Sequence, residues 1–120
     1  MIQLPTGIVT FLFTDVEGST RMWAANAVTA ATSIEKHDGI IKAAIIDQGG
    51  VVFGWAGDHF RGAFEDPRAA VAAAIAAQTA LGEAGWEHGS SLKVRMGLHR
   101  GRAETRDGDY FGSAPNIAAR

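Results

Sequence analysis

Two short stretches of this sequence combine acidic residues with glycine in a pattern that could do chemistry. Asp15 ends an apolar, β-branched run, and Gly18-Ser19-Thr20 follow shortly after it, where a helix should begin. Asp58 follows Gly57 in a tight turn. Carboxylate oxygens are the ligands that Mg²⁺ and Mn²⁺ prefer, and the free N–H groups at a helix start favour phosphate. Together the two stretches indicate a metal–phosphate site, provided that the fold brings them to one place.

Both stretches also have simpler explanations. Asp15 and Ser19 could do no more than cap the following helix. A Gly-Asp dipeptide is common in ordinary turns, so Asp58 alone is weak evidence. The metal interpretation requires the turn that carries Asp58 to lie beside the strand that ends in Asp15.

Hydrophobic patterning predicts the elements that would position these residues. The apolar run over residues 8–13 predicts a strand buried on both faces. Residues 21–48 favour helix, as one helix or two in sequence, with Gly39 as a possible break. Residues 51–55 and 59–64 predict an antiparallel hairpin whose turn holds Asp58.

The second half of the chain continues the mixture of helices and strands. Asp66 as N-cap and Pro67 at the first helical position predict an Ala-rich helix that runs to about residue 81. Residues 92–99 alternate as a strand does, Gly101 suggests a turn or bulge, and three further segments follow: a strand at 102–106, a loop at 107–112 and a helix start at 116–120. This order predicts an α+β fold, one sheet with helices on one face.

Composition limits the class of protein. The chain has 120 residues, which suits a single domain over residues 1–120, and its net charge of −2 and pI near 6.0 do not suggest a nucleic-acid or membrane surface. There are no cysteines, no signal-peptide pattern and no apolar run long enough for a membrane segment. We therefore expect a cytoplasmic protein that binds no nucleic acid and has no membrane segment.

Four motifs together resemble the catalytic domain of class III nucleotidyl cyclases, most closely the bacterial adenylyl cyclases of actinobacterial type. The motifs are FTDVEGST at 13–20, GGVVFGWAGDHF at 49–60, LKVRMGLHRG at 92–101 and DYFGSAPNIAAR at 109–120. The resemblance implies a ferredoxin-like sheet and the conversion of ATP to cyclic AMP and pyrophosphate in cyclic-nucleotide signalling. It also implies two Mg²⁺ or Mn²⁺ ions and a head-to-tail homodimer whose sites take residues from both protomers.

The resemblance assigns a role to each matching position. Asp15, Asp58 and the carbonyl of Val16 would hold metal, and the amides of Gly18, Ser19 and Thr20 would hold the β- and γ-phosphates. Asp109 would read the purine and favour adenine over guanine, so we expect ATP rather than GTP. Asn116 would position the ribose, and Arg120 would stabilise the phosphate in the transition state, where a planar guanidinium suits spread negative charge.

Some positions depart from the family pattern. Gly54 stands where adenylyl members usually carry a base-reading lysine, and His59 and Arg61 replace small or apolar residues. The family domain also continues beyond residue 120, so the resemblance implies that its C-terminal elements are missing and that this chain alone is weakly active or inactive. The alternative is a degenerate cyclase homology domain that binds nucleotide, dimerises or regulates; a purely structural domain is a third, less favoured interpretation.

Overall fold

The structure, a computed structural model, describes residues 3–86 and 92–111. Along the chain its elements are β1 (Gly7–Val16), α1 (Ser19–Ala25), α2 (Ala27–Asp47), β2 (Val51–Ala56), β3 (His59–Phe64), α3 (Pro67–Glu83), β4 (Val94–Arg106) and β5 (Asp109–Phe111). Within the described ranges no helix combines the length and the apolar character needed to cross a membrane.

The strands form one antiparallel arrangement in the order β2-β3-β1-β4-β5. β1 is central and pairs with β3 on one side and β4 on the other, so that Thr14 faces Phe60 and Asp15 faces Arg95. α2 and α3 pack against each other and against the sheet. The predicted α+β fold is confirmed, and the hairpin lies directly beside β1, as the metal interpretation requires.

One face of the sheet packs against the helices. Leu12 and Val16 of β1 point to this face, and the Ala-rich side of α3 allows close approach through Ala70, Ala73 and Ala77. The other buried side chains of this core are Ile34, Ile41, Ala44, Ile45, Phe60, Phe64, Leu81 and Val94. Asp66 accepts a hydrogen bond from the Arg68 N–H and Pro67 begins α3, as predicted.

The opposite face, here called the aromatic face, carries Phe11, Phe13, Phe53 and Tyr110. Their rings meet edge to face, with centroids 4.9 Å apart for Phe11 and Tyr110 and 4.8 Å apart for Phe53 and Tyr110. Because β1 has apolar contacts on both sides, Phe11 and Leu12 are both almost completely buried. This explains the continuous apolar run and confirms the prediction of a strand buried on both faces.

Tyr110 belongs to the aromatic face, and its hydroxyl should lose its proton only at an unusually high pH. Its hydroxyl donates to the Pro5 carbonyl at 2.6 Å, and burial raises the pKa of Tyr110 from about 10 to about 12 because water no longer solvates the tyrosinate. Since folding favours the neutral form, Tyr110 contributes stability that is complete below about pH 10 and disappears as the pH rises towards 12.

The measurement is simple because Tyr110 is the sole tyrosine of the sequence. Near-ultraviolet absorbance of tyrosinate should reach its midpoint near pH 12 in the folded chain and near pH 10 in denaturant. Tyr110→Phe should remove the signal. Equal midpoints with and without denaturant would show that Tyr110 is not shielded from water.

Three predicted boundaries are corrected by the structure. The helical region breaks at Asn26, not Gly39, because Asn26 is extended and its side chain caps α2 by accepting the Thr29 N–H. Gly101 is neither turn nor bulge: β4 runs through it and pairs it with Val9, so residues 102–106 belong to the same strand.

The third correction concerns residues 107–112, which were predicted as a loop. Asp107 and Gly108 both have positive φ, 54° and 78°, and they connect β4 to the short strand β5 as a two-residue hairpin turn. Asp-Gly is a typical sequence for such a turn, because both positions require left-handed backbone. The predicted helix start at 116–120 lies outside the described residues.

Candidate active site

The β2–β3 hairpin brings Asp58 to the end of β1. The Asp58 carboxylate is buried, and its Oδ2 accepts a hydrogen bond from the backbone N–H of Val16, the residue after Asp15, at 3.1 Å. A buried carboxylate requires such a partner, because desolvation without one is costly. The two aspartates that were singled out from the sequence therefore lie at one edge of the sheet, which meets the condition for the metal interpretation.

Arg95 forms a bidentate ion pair with Asp15. Its Nε and Nη2 donate to the two carboxylate oxygens of Asp15 at 2.9 and 2.7 Å, across the β1–β4 ladder. These hydrogen bonds raise the pKa of Arg95, because the carboxylate stabilises the charged guanidinium. Sequence reasoning missed Arg95: the alternation of residues 92–99 predicts its strand, but only the register with β1 places it opposite Asp15.

A cleft of about 750 Å³ opens at this edge. Charged groups line it beside apolar ones, and His59 stands with its Nε2 3.4 Å from Asp58 Oδ1. The residues lining the cleft are Phe13, Thr14, Asp15, Ala56, His59, Phe60, Arg61, Arg95, Met96 and Gly97. Its volume is that of a small-molecule site, and its charged side chains are Asp15 and two arginines.

The donor set at this edge fits a hard divalent cation. Two carboxylates and the Val16 carbonyl supply oxygens only, and Mg²⁺ typically takes one or two carboxylates and completes its shell with water and phosphate. No cluster of three or more acidic, histidine or cysteine side chains suited to a metal is found in residues 3–86 and 92–111, so the metal role of the two aspartates stays a prediction. Asp15 would have to exchange its contacts with Arg95 for the ion.

The predicted phosphate turn lies at the start of α1. Gly18 is the N-cap residue, with φ of 73°, and no side chain caps the helix. The simpler interpretation, in which Asp15 or Ser19 caps this helix, is therefore wrong. The amides of Ser19 and Thr20 stand at the helix start as expected, and their role in phosphate binding stays a prediction.

The structure describes only some of the residues that were predicted to bind the purine and the ribose. Gly54 lies in β2 opposite Arg61, and Asp109 begins β5, exposed, with its Oδ1 accepting the N–H of Tyr110 at 2.8 Å. Asp109 does not line the cleft that Asp15 lines. Asn116 and Arg120 lie outside the described residues, so their roles stay predictions.

Comparison with known proteins shows which proteins this chain is similar to. The chain is 38% identical over 119 residues to an uncharacterized protein of Mycobacterium tuberculosis, covering 97% of this chain and 39% of that protein. It is 30% identical over 144 residues to an adenylate cyclase of Lachancea kluyveri, covering 99% of this chain and 8% of the cyclase. The chain thus spans well under half the length of these relatives. No family model matches the sequence.

Solved structures agree with the sequence relatives. An adenylate cyclase of Trypanosoma brucei, described in its monomeric state, superposes with a TM-score of 0.90 at 26% identity, over 99% of this chain and 70% of that one. An adenylate/guanylate cyclase/hydrolase of Silicibacter pomeroyi gives a TM-score of 0.80 at 27% identity, over 93% and 67%. In fold and in sequence this chain is similar to the class III adenylate/guanylate cyclase domains, which confirms the resemblance of the four motifs.

Proposed function

We propose that this chain binds metal–ATP and converts it to cyclic AMP and pyrophosphate, in cyclic-nucleotide signalling, at the low rate expected of the chain alone. The observation that carries the proposal is the Val16 N–H to Asp58 hydrogen bond, which fixes a second carboxylate next to the residue that follows Asp15, and Asp15 lines the cleft. Because ATP and its Mg²⁺ or Mn²⁺ partners are abundant inside cells, the proposal places the activity in the cytoplasm.

Asp15, Asp58 and the Val16 carbonyl are the groups that would hold two divalent ions. When bound, such ions neutralise phosphate charge and make a hydroxyl a better nucleophile. The 3′-oxygen of the ribose would form a bond to the α-phosphorus while the bond from that phosphorus to the pyrophosphate oxygen breaks, and the hydroxyl proton would leave to solvent. The reaction needs little covalent chemistry from the protein, so its rate would depend mainly on how the protein positions the reacting groups and stabilises their charge.

In this scheme Arg95 would bind the phosphates of the substrate. Its side chain is 66% exposed, and Asp15 accepts its hydrogen bonds within the described residues. If Asp15 held a metal ion, the Arg95 guanidinium would be free to bind the phosphate oxygens of the substrate, for which its planar fork is well suited. The amides at Gly18, Ser19 and Thr20 would hold the same phosphates from the other element.

We further propose a homodimer whose sites are shared. Asp15 lies in β1 and Asp109 in β5, and Asp109 does not line the cleft of Asp15. Apolar side chains such as Ile8, Leu98 and Phe111 are about two-fifths exposed. A second copy would cover such surface and complete each site.

A mixing experiment tests the proposal. Chains carrying Asp58→Asn and chains carrying Arg120→Ala should each be inactive with manganese–ATP. After subunit exchange, half of the dimers should be mixed and hold one intact site of two, so about a quarter of the parent activity should return. Sedimentation monitors the dimer. Mixed dimers that recover no activity would contradict shared sites, and a parent chain that makes no cyclic AMP would contradict the cyclase proposal itself.

One observation favours a different role, that of a degenerate cyclase homology domain. Both carboxylate oxygens of Asp15 are occupied by Arg95, and Gly54 offers no donor to a base. Such a domain would bind metal–nucleotide weakly, or only dimerise. Tight manganese–ATP binding without turnover in the parent chain would favour this role over catalysis.

A further inference from the structure

The helices leave part of the sheet uncovered along β4. Leu98 pairs with Leu12 of β1, and Leu12 packs in the core beneath the helices, so both side chains point to the helix side of the sheet. Leu12 is 1% exposed, whereas Leu98 is 43% exposed. Ile8 lies on the same side as Leu12, opposite Arg102, and is 44% exposed. The helix layer therefore stops short of Leu98 and of the start of β1.

One side of α3 forms a wall beside this uncovered strip. The Gln78 side chain donates to the Val94 carbonyl at 2.9 Å, so this side of α3 faces β4. Ile75 and Val71, three and seven residues before Gln78, lie on the same side and are 62% and 47% exposed. Because β3 and β4 are both antiparallel to β1, the helix that connects them runs antiparallel to β4. Seven helical residues rise about 10 Å and four strand residues about 13 Å, so Val71 is about level with Leu98.

Two arginines border these exposed apolar side chains. Arg100 and Arg102 follow Leu98 by two and four residues, on the same side of β4, and both are exposed. Within residues 3–86 and 92–111, neither guanidinium has a hydrogen-bond or ion-pair partner, and the next residue on this side, Glu104, is paired with neither. We call this surface the β4 shelf, and it consists of Ile8, Val71, Ile75, Leu98, Arg100 and Arg102.

The shape of the β4 shelf suits a helix. A helix laid beside α3 would continue the layer that α2 and α3 form, at the interaxial distance of about 8–10 Å that is usual for packed helices. Apolar residues at its i, i+3, i+4 and i+7 positions would contact Leu98 below and Val71 and Ile75 at the side. A flat bilayer surface suits the β4 shelf less well, because Leu98 stands on the sheet and α3 rises beside it.

We propose that the β4 shelf is a docking site for an amphipathic helix of a partner protein, with acidic residues along the border of its apolar face. Such residues would pair with Arg100 and Arg102, which lack carboxylate partners among the described residues. The parts of this chain outside the described residues hold a single acidic residue, Glu87, which is too few for that border. A second copy that placed its own β4 shelf against this one would bring arginines against arginines, which repel. The charges therefore favour a separate, acidic polypeptide.

Selection from a library of displayed single-helix peptides tests this assignment on the full chain. The enriched sequences should share the apolar spacing given above and a net negative charge. An enriched peptide carrying a fluorescent label should bind the parent, and added salt should weaken binding because it screens the arginines.

Variants of the β4 shelf give the sharper measurement with the same labelled peptide. Leu98→Glu should weaken binding about tenfold or more, and Arg100→Glu about fivefold, because each places a negative charge against the acidic helix. Val28→Glu, at an apolar side chain of α2 that is 78% exposed, is the matched control and should change nothing. Leu98→Ser is a milder second variant, and thermal melting verifies that each variant is folded.

Several outcomes would overturn the assignment. A library that yields no binder, enriched peptides without negative charge, or equal binding to Leu98→Glu and the parent would each do so. Binding to phosphatidylserine-containing vesicles, absent with phosphatidylcholine alone and lost in Arg100→Glu, would make the β4 shelf a membrane surface instead. Dissociation of a homodimer by Leu98→Glu in sedimentation would assign the surface to a second copy. The measurements use no nucleotide, so a chain that makes no cyclic AMP would contradict the proposed function and leave this inference standing.

Discussion

Replacing Asp58 by asparagine should remove nearly all metal-dependent cyclic-nucleotide production and leave the fold intact. Asparagine keeps an oxygen that can accept the Val16 N–H, but it loses the negative charge that a divalent ion requires. Loss of one preorganised charge-stabilising group typically costs about a hundredfold to a thousandfold in rate, and we expect a loss of that order. The measurements are cyclic-nucleotide production with manganese–ATP and the melting temperature of each variant.

Asp58→Ala is a second variant at this position, to be compared with Asp58→Asn. It removes the charge and also leaves the Val16 N–H without its partner at a buried position, which should destabilise the fold by about 1–3 kcal/mol in addition. Asp47, an exposed aspartate that ends α2, offers a matched control, since Asp47→Asn should affect neither activity nor stability. Equal activity of Asp58→Asn and the parent would refute the metal role, and equal stability of Asp58→Ala and the parent would refute the structural one.

Local sequence patterns were sufficient where the structure depends on local chemistry. The apolar run before Asp15, the turn at Asp58 and the Asp66-Pro67 start of α3 each depend on residues within a few positions of one another, and all three are confirmed. The break at Asn26 and the hairpin turn at Asp107-Gly108 also have local signals, an N-cap residue and a two-residue turn sequence. Those boundaries were missed because Gly39 and Gly101 were given more weight than the capping and turn residues.

The parts of the site that could not be predicted depend on strand register. Nothing near Arg95 in the sequence indicates that it faces Asp15, because the pairing of β1 with β4 is set by burial over the whole sheet. The contact between Arg61 and Gly54 depends in addition on the shift after Val52, which places two consecutive residues of β2 against one of β3. From the sequence, Gly54 therefore indicates only a missing side chain, whereas the fold shows which neighbour uses the space.

Arg95→Ala should have opposite effects on metal binding and on catalysis. Without nucleotide, Arg95 competes with a cation for both oxygens of Asp15, so its removal should raise manganese affinity by about twofold to fivefold, the size expected of an exposed ion pair. With nucleotide, the same guanidinium is expected on the phosphates, where a charge-assisted contact is lost; cyclic-nucleotide production should fall about tenfold to a hundredfold. Manganese titration and initial rates measure the two effects separately.

Arg95→Lys separates charge from geometry in this prediction. A lysine keeps the positive charge but not the fork that grips both oxygens of Asp15, so its rates should fall between those of the parent and Arg95→Ala. If Arg95→Ala instead raised both manganese affinity and turnover, Arg95 would act as a clamp that holds Asp15 away from the metal. The ion pair would then be inhibitory, and the chain would be better described as the degenerate cyclase homology domain than as an enzyme whose arginine moves from aspartate to phosphate.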